Sequence, residues 1–166
     1  MQQGLAKQYG PLPKDKDAFT ARCRLLQSWY RVEMLGQECG PWRRGAQPVG
    51  SSLVDGESTG ANFISETAFE YAKQRVADKA ENHDLTIEEF RLFNNMLSSQ
   101  PMCFNLFAEF RAAVQETRPD ATKVLAAIFS SSLIKSVTDV IVEMIPTPTK
   151  NYINDKTAFD AAIFYT

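Results

Sequence analysis

Two carboxylates near the end of the chain stand where charge is expensive. In VTDVIVEMIPTPTKNYINDKTAFDAAIFYT (137–166), Glu143 closes an apolar, β-branched run, and Asp160 lies inside a run of aromatic and small residues. A strand keeps a charge among apolar neighbours only where a partner, a cation or a solvated face offsets its desolvation. Side chains alternate along a strand, so Glu143 is expected to share a face with Val137, Asp139, Ile141 and Ile145. Val140, Val142 and Met144 then form a wholly apolar face for the core. Asp160 shares its face with Ala158, Ala162 and Phe164, where the alanines leave room for a ligand. If the two runs are antiparallel neighbours, the carboxylates approach one another. Close carboxylates repel unless one is protonated or a hard, oxygen-ligated cation such as Mg2+ bridges them. A solvated glutamate and a backbone-bonded aspartate fit the same pattern.

A second group of residues suits a polyanion. Trp42-Arg43-Arg44, followed by Gly45, combines an aromatic face with two cations. Gly50-Ser51-Ser52 adds small donors of the kind that contact a phosphate backbone. Arg31 lies on the non-apolar face of a helical stretch. Around a helix junction sit Asn94, Asn95, Ser98, Ser99, Gln100 and Asn105; helix caps use two of these, and the others need a partner in the fold or in a ligand.

Periodicity supplies the elements that must position these residues. Residues 1–14, with two glycines and two prolines, read as a flexible arm. Residues 15–166 read as a single domain. From Asp15 to Leu35 a stripe of Phe19, Cys23, Leu26, Tyr30 and Met34, widened by Leu25, Trp29 and Val32, predicts a largely buried helix. Residues 36–61, with six glycines and two prolines, read as a long irregular loop. Ser65 is a plausible cap for a helix running to about Ala80. Thr86 and Glu89 have capping-box spacing before the next helix, and Ser98 or Ser99 with Pro101 opens another. Pro119 begins a short helix to about Ser130, and Ser130–Ser132 release the chain into the C-terminal stretch. His83, in a polar connection, is given no role. The expectation is an α+β chain, with 15–132 mainly helical and 133–166 a β-hairpin.

Composition narrows the function classes. With 44% hydrophobic residues in 166, the chain can build a core. Three scattered cysteines and one histidine argue against a disulfide framework or a zinc site. No signal-like or membrane-spanning run is present, which suggests a soluble, cytoplasmic protein. The net charge of −2 conceals an asymmetry: residues 1–50 carry eight Lys/Arg and four Asp/Glu, against ten and sixteen in the rest. A basic first third suits phosphate and an acidic remainder suits a divalent metal, although solvated helix faces would also produce this distribution.

Several segments carry a resemblance. QSWYR (Gln27–Arg31), GSSL (Gly50–Leu53), Asn62-Phe63, LSSQPMCFNLF (Leu97–Phe107), and Glu143-x-x-Pro146 ahead of DKTAFDAAIFY (Asp155–Tyr165) together resemble a bacterial family of restriction endonucleases in the PD-(D/E)XK nuclease superfamily. The resemblance runs in order from about Arg22 to Tyr165. It implies a helical N-terminal half packed on a restriction-endonuclease-like mixed sheet, and Mg2+- or Mn2+-dependent hydrolysis of DNA phosphodiesters. Asp160 matches the first acidic motif, and Glu143 matches an upstream family glutamate, a metal or water ligand. Arg31, Trp42, Arg43, Arg44, Ser99, Gln100 and Asn105 become candidate DNA contacts. The family's Glu-x-Lys strand is expected after Tyr165, so the chain reads as a truncated member with an incomplete sheet, its own activity uncertain. A non-catalytic DNA- or partner-binding module using the basic first third is the alternative. An unpaired final strand edge leaves a homodimer open.

Overall fold

The computed structural model describes residues 2–81, 86–130 and 133–166. His83, Ser131 and Ser132 lie outside the described residues. In chain order the elements are helices α1 (Gln2–Tyr9) and α2 (Ala18–Glu33), strands β1 (Cys39–Pro41) and β2 (Pro48–Leu53), and the single turn α3 (Gly56–Thr59). Helices α4 (Glu66–Glu81), α5 (Glu89–Asn94), α6 (Ser99–Gln115) and α7 (Pro119–Ile128) follow, and then strands β3 (Val137–Met144) and β4 (Phe159–Tyr165). This is an α+β architecture. Among the described residues both sheets, β1–β2 and β3–β4, are two-stranded and antiparallel.

The chain divides into two compact units, which no break in composition announces. The first comprises residues up to Asn62 together with Glu88–Pro101; the second comprises Phe63–Ile87 and Met102–Thr166.

In the first unit α2 buries its polar face. Phe19, Leu26 and Met34 are 70%, 59% and 61% exposed, while Ser28 and Arg31 are buried. The reason is the hydrogen-bond demand of the backbone lying against the helix. Arg31 donates from Nε to Gly50 O at 2.8 Å, from Nη2 to Tyr9 O at 2.8 Å, and from Nη1 to Gln37 O. Arg24 grips the Asp15 carboxylate at 2.7 Å and reaches Ser51 Oγ at 2.9 Å. Unpaired buried carbonyls would cost more than exposed apolar side chains, so the arginines face inward. Gly50 makes this approach feasible: a Cβ there would stand 2.6 Å from both Ser28 Oγ and Tyr9 O.

The stretch expected to be irregular is a hairpin. β1 and β2 pair antiparallel, and the turn between them is closed by Ala46 N–H donating to Arg43 O at 3.0 Å. Residues 2–9 of the expected arm form α1, and Pro11 O accepts from Gly50 N–H at 2.8 Å. Thr86 does not cap α5. The cap is Glu88, whose carboxylate accepts from Phe90 N–H and Arg91 N–H at 3.3 and 2.7 Å.

In the second unit Ser65 Oγ accepts from Ala68 N–H at the start of α4, as its spacing predicts. The α6 stripe packs inward: Phe107, Phe110 and Val114 join Ile134 and Ile163 around buried Leu125, Val137 and Val140. Phe104 is fully buried beside Tyr71, with ring centroids 5.3 Å apart. Among the described residues no buried side-chain nitrogen or oxygen lacks a hydrogen-bond partner.

Candidate active site

β3 and β4 are antiparallel neighbours, paired Val140↔Ile163, Ile141↔Ala162, Val142↔Ala161 and Met144↔Phe159. Glu143 and Asp160 are the two residues left between the last two pairs, so they fall opposite one another across the ladder. Ile163 packs into the core, so alternation puts Asp160 on the other face, and Asp160 is exposed.

Glu143 departs from the expected alternation. Its φ is +53°, in the left-handed region, and it is only 6% exposed. One left-handed residue breaks the period of two. Val142 and Glu143 are therefore both buried, where regular alternation would place Glu143 on the face away from the core. A side-chain-bearing residue reaches this conformation at a cost of about 1–2 kcal/mol and stays there only where its surroundings determine it.

Those surroundings are α4 and α6. Tyr71 Oη accepts from Val142 N–H at 3.1 Å, and Arg75 donates from Nε to Val142 O at 3.2 Å and from Nη2 to Glu143 O at 3.0 Å. Arg111 adds a bond to Val140 O at 3.2 Å, an ion pair with Asp139 at 2.9 Å, and a position 4.6 Å from the Tyr71 ring centroid. Three side chains thus satisfy the β3 edge that β4 does not cover. Sequence reasoning missed Tyr71, Arg75 and Arg111. Nothing in their spacing sets them apart from other polar positions on two helices.

Cys103, buried on α6, registers both carboxylates. Burial, then the charges of Asp160 and Glu143, push its thiol up to about 11. At neutral pH it is a protonated thiol and so a poor nucleophile.

The candidate polyanion contacts separate by burial. Trp42, Arg43 and Arg44 sit exposed at the β1–β2 turn, with the Arg43 guanidinium 4.4 Å from the Trp42 ring centroid. Ser99 is exposed at the start of α6. Arg31, by contrast, is 3% exposed and donates to three carbonyls, so its guanidinium is not available to a phosphate. Gln100 is buried, its Oε1 accepting from Glu88 N–H at 3.3 Å. Asn105 Oδ1 accepts from Ile64 N–H at 2.9 Å. Asn94, likewise, accepts from Gly56 N–H at 2.8 Å, so the fold itself absorbs most of the polar cluster. Glu143, Asp160 and Asn105 belong to the second unit and the other candidates to the first.

Comparison with protein-family models matches residues 13–166 to the PD-(D/E)XK nuclease superfamily. The chain belongs to this superfamily. Neither the curated proteins nor the solved structures give a match. PD-(D/E)XK nucleases generally use divalent metals. Among the described residues no three His, Cys, Asp or Glu side chains cluster as ligands. Of the two expected carboxylates, exposed Asp160 is open to an ion as it stands, whereas Glu143, buried by its left-handed turn, would reach the same ion only with its side chain turned back to the outer face. That donor set suits a hard cation such as Mg2+, which keeps several waters and takes one or two carboxylates.

Proposed function

We propose that this chain serves metal-dependent hydrolysis of DNA phosphodiesters, with Asp160 and Glu143 as the carboxylates that hold Mg2+ or Mn2+. The placement of the two residues opposite one another across β3–β4, in a chain of the PD-(D/E)XK nuclease superfamily, carries this reading. A divalent ion supplies charge neutralisation at the non-bridging oxygens and a lowered pKa for the attacking water.

The chain's own residues divide the remaining work. Asp160 lies on an exposed face between Ala158 and Ala162, where little side-chain bulk keeps a phosphodiester away. Glu143 is fixed through its main chain by Arg75, which holds the strand opposite Asp160 in place without the entropy loss of ordering a mobile segment. Trp42, Arg43 and Arg44 offer an aromatic face and two cations to the phosphate backbone, and Ser99 offers a hydroxyl. Arg31 and Gln100 act in folding instead.

Substitution of Asp160 with alanine tests the site. It is expected to abolish Mg2+- or Mn2+-dependent nicking of supercoiled plasmid and the rise in Tm produced by Mn2+. The Tm in EDTA should change little, since the position is exposed. Nicking unaffected by the substitution would overturn the assignment. Salt-sensitive DNA retention that needs no metal and survives Asp160→Ala, without cleavage, would point to a DNA-binding module instead.

A further inference from the structure

α2 turns an aromatic and aliphatic face to solvent, and that face is self-complementary. On a helical wheel Phe19, Arg22, Leu26, Trp29, Tyr30 and Glu33 fall within about a third of the circumference, opposite buried Ser28 and Arg31. All six are exposed. Among the described residues neither Arg22 nor Glu33 forms an ion pair. Five large apolar side chains, these four and Met34, at exposures of 39–70%, amount to on the order of 500 Å² of apolar surface. That is near the top of what a monomer leaves uncovered, and most of what one partner contributes to a standard interface of about 800 Å² per side.

We infer that α2 pairs antiparallel with α2 of a second copy of this chain, about a two-fold axis that passes midway between Gln27 and Ser28. The charges fix the register. Arg22 lies five residues before Gln27 and Glu33 five after Ser28, so the axis sets Arg22 against the second copy's Glu33, and Glu33 against its Arg22. The same axis sets Leu26 against Trp29 of the second copy, at the centre. It also brings Phe19 over Gly36, which is exposed and has nothing within 4 Å of where a Cβ would stand, so the ring has room. Two symmetric ion pairs at the rim around an apolar centre are compatible with an isologous interface.

Sedimentation velocity of the full chain over a range of concentrations tests the pairing. Wild type is expected to dimerise, and Leu26→Glu to weaken the dimer at least roughly a hundredfold, because it buries two charges at the centre. Arg22→Glu and Glu33→Arg should each weaken it roughly tenfold by placing like charges together, and the double swap should restore it. Circular dichroism of each variant should match wild type, since all three positions are exposed. A wild type that stays monomeric overturns the inference, as does a dimer indifferent to Leu26→Glu or one that the double swap fails to restore. Monomer that co-sediments with lipid vesicles through Leu26 would assign the face to a membrane surface and equally overturn it.

Discussion

Arg75 on α4 holds Glu143 on β3 from behind, its Nη2 donating to the Glu143 carbonyl oxygen at 3.0 Å while Nε serves the carbonyl of Val142. One guanidinium therefore satisfies the two backbone acceptors that flank the left-handed residue. Replacing Arg75 with methionine keeps much of the stem's packing and leaves both carbonyls unpaired. A loss of about 2–3 kcal/mol in urea unfolding is expected, together with weaker Mn2+ binding than wild type at temperatures where both are folded. Stability within 0.5 kcal/mol of wild type, a margin of about the size expected for a bland surface change, would show that the latch is incidental.

The backbone at Glu143 gives a separate test, independent of activity. At φ +53° glycine is relaxed and alanine is not. Glu143→Gly should therefore be more stable than Glu143→Ala by about 1 kcal/mol, the reverse of the order at an ordinary strand position, and both should lose metal binding. Equal stabilities, or alanine ahead, would remove the left-handed conformation from the account of the site.

The arginines separate folding from binding. Arg31→Ala leaves the carbonyls of Gly50, Gln37 and Tyr9 without their donor, and a loss of about 3 kcal/mol or more is expected. Arg43→Ala with Arg44→Ala should leave Tm unchanged while reducing DNA retention and flattening its salt dependence by about two units of slope. Undiminished retention in that double variant would exclude the β1–β2 turn from the DNA-facing surface.

What the sequence could and could not disclose follows from what each residue type signals. α6 and α7 were legible because Pro101 and Pro119 mark their first turns, and β3 and β4 because each is a β-branched or aromatic run. Their antiparallel pairing is as anticipated, but Glu143 is buried and Asp160 exposed, so the two side chains do not share the expected face. The facing of α2 was not legible. Apolar spacing marks a stripe but does not reveal that the backbone at Tyr9, Gln37 and Gly50 demands donors, which only Arg31 supplies. The β1–β2 hairpin was hidden by its shortness and its glycines, which usually mark loops. The inward turn of Glu143 had no signal at all, since glutamate has no preference for the left-handed region, and the conformation is imposed by Tyr71 and Arg75 from another element.

The Cys103 thiol turns the two carboxylates into a pH effect. Its ordinary value of 9.0 rises to about 11 in the folded chain, by burial first and then by the charges of Asp160 and Glu143. Between these values the folded state keeps a proton that the unfolded state has lost. Stability therefore falls as pH rises from about 9 to about 11, by up to about 3 kcal/mol, and is unaffected by this group below pH 9. Cys103→Ala should remove that part of the alkaline loss, leaving whatever Tyr71, also raised by burial, contributes. Asp160→Asn removes one of the charges without emptying the position, so it should shift the thiolate absorbance titration of Cys103 downward. A titration that does not move would mean that Asp160 does not reach the buried side of the site, and the cross-strand pairing of the two carboxylates would lose its electrostatic support.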